Sequence, residues 1–162
     1  MTVRSALIHG SRCQTTTFPL AYYVHWRIYF QLNVPFPHHD SIEFNSQRLQ
    51  ADGSTRLYIS FREYEHSNVQ QTVGRIEIPM IRQVTVQQLI DFVLGRNRRD
   101  RYRLTDGGSG CRFWCKTVIN DLEQAGWIGP GSGAQLESYF LSLHQKYGNG
   151  CIPYPLYQGT FY

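Results

Sequence analysis

The sequence predicts an α+β domain: an antiparallel sheet packed against about three helices. Alternating apolar and polar residues fill strand-length runs between about residues 20 and 81, and from Thr85 onward the apolar spacing lengthens to that of a helix. The chain has 162 residues, 41% of them hydrophobic and 17% charged, which suits one domain with its own core and excludes intrinsic disorder. Residues 1–162 therefore read as a single domain, with 1–18 as an irregular N-terminal segment and 148–162 as an extended tail.

The first strand falls in LAYYVHWRIYFQL, residues 20–32. Val24, Trp26, Ile28 and Phe30 share one side, and His25, Arg27 and Tyr29 share the other. The turn-rich NVPFPHHD follows, and a short second strand over Ser41 to Asn45 turns Ile42 and Phe44 inward. After the Asp52-Gly53 turn, Arg56 to Tyr64 forms a third strand. Val73 to Ile81 forms a fourth, where Pro79 predicts an edge or a strand end.

Thr85 is placed to N-cap VQQLIDFVLG, with Val86, Leu89, Ile90 and Val93 at helical spacing and Gly95 as the stop. A second helix starts around Cys111 and runs through RFWCKTVINDLEQ to a Gly126 cap; its apolar face includes Val118, Ile119 and Leu122. A third covers Gln135 to Tyr147, with Leu136, Tyr139, Phe140 and Leu143 as its stripe.

The formal charge is +4, and RNRRDRYR, Arg96 to Arg103, carries all of it. One basic loop without interleaved exposed aromatics does not favour nucleic acid as a partner; it reads as a solvated loop with local ion pairs, ahead of an anion clamp. The longest apolar stretches fall far short of the roughly 20 residues of a spanning helix. MTVRSALIHGSRC lacks the apolar centre of a secretory signal, so the expected location is cytoplasmic, with no membrane partner and reduced thiols. Cys13, Cys111, Cys115 and Cys151 do not follow a disulfide framework or a zinc ribbon, and neither a metal nor another cofactor is expected.

The segment richest in chemistry is Gly107-Gly108-Ser109-Gly110-Cys111, running straight into an amphipathic helix. A thiol at a helix N-terminus meets unpaired backbone N–H groups and the positive end of the helix dipole, both of which favour thiolate. The glycines, Gly110 above all, permit close approach of a substrate, and the same N–H groups suit a developing oxyanion. Such a nucleophile needs a base oriented by a third polar group. His25, aimed away from the core of its strand, fits the base. Glu43 and Asn45, on the polar side of the adjacent strand, are the candidate orienting residues. Arg27 and Arg112 are the candidate substrate contacts, with pairing to Glu43 or Asp106 as the alternative. Cys115 belongs to the core side of the helix with Ile119 and Leu122.

HWRIYFQL at His25 and GCRFWCKTVI at Cys111 resemble the His strand and the Cys helix of the NlpC/P60 superfamily, in particular its lecithin:retinol acyltransferase-like branch. The resemblance extends by element order over residues 20 to about 126 and implies a permuted papain-like architecture with a Cys nucleophile and a His base. The branch usually has Asn before the Cys, where this chain has Gly110, and its second His has no equivalent here. HWR, VTVQQLIDFVL, DRYRLTDGGSGCRFW and GTFY together resemble small fungal proteins of a family without an assigned function, which implies a fungal source.

Two functions follow. The first is a cysteine-dependent hydrolase or acyl transferase, acting on an ester, thioester or amide of a small molecule through a Cys111–His25 acyl-enzyme. The second is a non-hydrolytic binding protein or cyclase of a fungal biosynthetic pathway in which Cys111 is inert. Oligomeric state is not legible in the sequence.

Overall fold

The structure is a computed structural model that describes residues 1–14, 22–36, 39–49, 52–63, 72–105 and 109–162. Asp106, Gly107 and Gly108 of the glycine cluster, and His38 and His66, lie outside the described residues.

Five long strands, β1 (Thr2–Gln14), β2 (Tyr22–Phe36), β3 (His39–Arg48), β4 (Thr55–Arg62) and β5 (Thr72–Thr85), form an antiparallel sheet in the order β4-β3-β2-β1-β5. Pro79 lies in β5, an edge strand, where a missing N–H is tolerated.

The expectation of an irregular N-terminus is overturned, because residues 2–14 are the strand between β2 and β5. Its alternation is obscured in sequence for two reasons. A bulge between Val3 and Ser5 shifts the register, and both faces are buried: Ala6 and Ile8 on one, Ser5, Leu7, His9 and Ser11 on the other. Gly10 belongs there because a Cβ would lie 2.5 Å from the Trp26 ring. Strand and backbone thus make room for the largest side chain of β2.

After β5, helix α1 (Val86–Ile90) begins in a reciprocal capping box, with the Thr85 hydroxyl accepting from the Gln88 N–H and the Gln88 side chain accepting from the Thr85 N–H. The helix does not stop at Gly95 as expected. It widens into a π-helical turn, Asp91–Arg96, that carries Phe92 and Val93 into the core. The short strand β6 (Tyr102–Arg103) and helices α2 (Cys111–Gln124) and α3 (Ser132–Tyr147) follow. α3 starts three residues earlier than its apolar stripe suggested, since Ser132 and Gly133 already pack as buried residues. The tail ends in a short strand, β7 (Thr160–Phe161), paired antiparallel with β6.

The helices cover one face of the sheet. Ala6, Ile8, Trp26, Ile28, Phe30, Ile42 and Phe44 share a core with Leu89, Trp114, Val118, Leu122, Leu136 and Phe140. The other face is polar and also buried, with Ser41, Glu43 and Asn45 all under 5% exposed. It holds together by side-chain bonds, such as Ser5 Oγ donating to Glu77 Oε1 (2.6 Å) and Asn45 Nδ2 donating to Glu43 Oε1 (2.9 Å).

Candidate active site

Toward the start of β2, its ladder with β3 stops at the Ile28–Phe44 pair. Beyond that point β3 stays with β4, as far as Arg48 opposite Thr55, and β2 stays with β1, as far as Tyr22 opposite Gln14. The strands part, and the first residue of α2 lies against the edge of β2 left open. Cys111 Sγ is 3.9 Å from the Val24 carbonyl oxygen, and the Trp26 N–H donates to the sulfur.

The start of α2 is fixed from below. Gly110 has φ 131°, a conformation that suits glycine, and a Cβ there would lie 2.7 Å from the Tyr102 hydroxyl. That buried hydroxyl donates to the Gly110 carbonyl (2.9 Å) and accepts from the Gly159 N–H (3.0 Å), so the tail is tied to the turn before the thiol. Burial pushes the Tyr102 hydroxyl well above its ordinary pKa, which keeps it a donor. Gly110 is itself buried, so its part is to shape the helix start rather than to touch substrate. Among the described residues no side chain caps the start of α2, whose first residue is Cys111.

His25 is the second partner of the thiol. Its Nε2 is 2.7 Å from Asn45 Oδ1, and its ring hydrogen-bonds the Cys111 sulfur. Asn45 Nδ2 donates to Glu43 Oε1 at 2.9 Å, which fixes the amide with its oxygen toward the imidazole. His25 Nε2 must therefore carry a hydrogen, and Nδ1 is left for the thiol. Glu43 does not orient His25 directly, as the sequence left open; it acts one step behind, on Asn45. Its carboxylate is in turn held by Arg27 Nη1 (3.1 Å) and Arg62 Nε (2.7 Å). Arg27 is thus committed to Glu43 and is a support for the site, not a free substrate contact. Arg62 was not singled out in the sequence; its position across the β3–β4 ladder, opposite Ser41, is a matter of register.

The electrostatics of the pair agree. Burial works against a charged His25, but the hydrogen bond and charge of Cys111, with the Asn45 bond, outweigh it and the ring's pKa rises. Burial likewise works against the Cys111 thiolate. The His25 hydrogen bond and charge, the Trp26 N–H and the Arg112 guanidinium outweigh it, and the thiol falls below its ordinary range. Opposite shifts of this kind favour a thiolate–imidazolium pair. Cys115, one turn along, is fully buried, and burial pushes its thiol well up.

The sequence matches the family described as Domain of unknown function (DUF7770) over residues 8–162. The chain belongs to the DUF7770 family. No curated protein and no solved structure gave a match. In this DUF7770 domain the matched region contains every residue of the cluster just described.

Arg112 is buried beside Cys111, with its Nη2 donating to the Pro153 carbonyl and its guanidinium 5.8 Å from the Phe140 ring centroid. Within the Arg96–Arg103 segment, one arginine has a clear structural role. Arg99 makes a bidentate pair with Asp121 (2.6 and 2.9 Å), and its guanidinium lies 4.6 Å from the centroid of Phe161 in the DUF7770 tail. Among the described residues no group of three or more His, Cys, Asp and Glu is placed to hold a metal ion, and no helix is long and apolar enough to cross a membrane.

Proposed function

We propose that this chain is a cysteine-dependent hydrolase or acyl transferase acting on an ester, thioester or amide of a small molecule. The observation that carries the reading is the line Cys111–His25–Asn45, in which the thiol is shifted down and the imidazole up. The order of its parts supports including the permuted papain-like architecture in the proposal: a His on a strand, an orienting side chain on the neighbouring strand, and a Cys opening a later helix. Asn45 then stands in the orienting position.

In this mechanism the Cys111 thiolate attacks the carbonyl carbon, and the C=O electron pair moves onto oxygen, facing the uncapped first turn of α2. Collapse breaks the bond to the leaving O, S or N, which takes the proton held on His25 Nδ1. Neutral His25 then removes a proton from water or from an acceptor alcohol or amine, whose attack on the acyl carbon releases Sγ as thiolate.

Mass-resolved iodoacetamide labelling of the native protein between pH 5 and 9 tests the reading. Cys111 is expected to label fastest of the four thiols, with its rate already on a plateau at pH values where an ordinary thiol, of pKa about 8.5, is still protonated. His25→Ala is expected to slow it about tenfold or more near pH 6. Acyl esters and thioesters turned over by the wild type and not by Cys111→Ala complete the test. Slow labelling that ignores His25 sinks the nucleophile and leaves the binding protein with an inert thiol.

A further inference from the structure

We infer that Arg112 is the recognition site for a carboxylate carried by the substrate near its scissile carbonyl, so that the acyl donor is anionic. The inference rests on the reading of Cys111 as nucleophile.

Arg112 is 8% exposed, and no acidic side chain among the described residues pairs with it. Its only hydrogen bond among them runs from Nη2 to the Pro153 carbonyl, and Nη1 is buried with no partner. A buried guanidinium that no carboxylate among the described residues pairs with is expensive to keep unless it has a task. The contrast with its neighbours is informative, since Arg27 and Arg62 share Glu43 and Arg99 holds Asp121.

The negative charge that acts on Arg112 is the Cys111 thiolate. The thiolate charge is the one the chemistry consumes. Once Sγ is acylated, the guanidinium loses its negative neighbour, and a substrate carboxylate replaces it. A second such donor is Trp26 Nε1, buried without a partner among the described residues; its indole meets the Phe140 ring at 4.9 Å, the same ring that lies beneath Arg112. Two donors beside one ring, both without a partner among the described residues, suit a group rich in lone pairs. The bond that now holds Arg112 goes to a neutral carbonyl, that of Pro153, which a carboxylate outcompetes.

The probe is a matched pair of alkylating agents, iodoacetate and iodoacetamide, that differ in the carboxylate alone. Their rates at Cys111 in the full chain are taken as a ratio and divided by the same ratio for glutathione, which cancels any change in thiolate content. The wild type is expected to favour iodoacetate by about tenfold, the worth of one charge-assisted hydrogen bond. Arg112→Gln is expected to bring the ratio to about one, with Arg112→Lys between. In the wild type alone, propionate is expected to protect Cys111 from iodoacetamide, so the test does not depend on a variant that folds. Fast iodoacetamide labelling with a normalised ratio of one and no protection overturns the carboxylate site and leaves the nucleophile standing. Slow labelling by both reagents overturns both.

Discussion

Asn45 shows how one amide decides what its neighbours do. Its two ends face different partners, and because Glu43 takes the N–H2 end, the oxygen is left for His25 Nε2. The proton of the imidazole is thereby placed by a carboxylate that never touches it. His9, on the same polar face, is the opposite case. It is fully buried, and burial with the charges of Arg27 and Arg75 lowers its pKa from 6.5 to about 4. An unfolded chain binds a proton at this residue between pH 6.5 and 4 while the folded one does not, so stability falls as pH drops through that window. The gap is worth about 3 kcal/mol once pH is below both values. Urea denaturation at pH 7 and at pH 4 is expected to show this loss in the wild type and a smaller one in His9→Gln. An equal loss in both would refute it.

Among the elements, β1 and the β2–β3 parting teach most. β2 and α2 are legible in sequence because one face of each is apolar and the other is not, and His25 and Cys111 could be singled out on that basis. β1 is not legible, since Ser5, His9, Gly10 and Ser11 are poor strand signals and burial on both faces removes the alternation. Nor could the choice between Glu43 and Asn45 be made from sequence. Both lie on the same side of β3, and only the register and the separation of the strands beyond Phe44 bring Asn45 alone to the imidazole. Arg62 and the Trp26 N–H were missed for the same reason: one depends on register and the other is backbone. Gly10 gives a test of β1. With a Cβ forced to 2.5 Å from the buried Trp26 ring, Gly10→Ala is expected to destabilise the fold by about 2 to 3 kcal/mol, read as a lowered Tm. An unchanged Tm would mean that β1 and Trp26 do not pack this way.

For the whole molecule, the cluster draws on both halves of the chain: His25 and its support from the sheet, Cys111 from the helical layer, and a clamp from the tail. Tyr102 joins the last two. Tyr102→Phe leaves the Gly110 carbonyl and the Gly159 N–H without their shared partner, and is expected to cost about 1 to 3 kcal/mol and to slow Cys111 labelling. Unaltered stability and labelling would show the clamp to be idle. The same clamp has a meaning during synthesis. The sheet residues that set His25 and Asn45 leave the ribosome well before Gly159, which the turn ahead of Cys111 needs as its anchor. In a growing chain the turn that holds the Cys111 thiol therefore gains its last tie late, after most of the protein that surrounds it has been made.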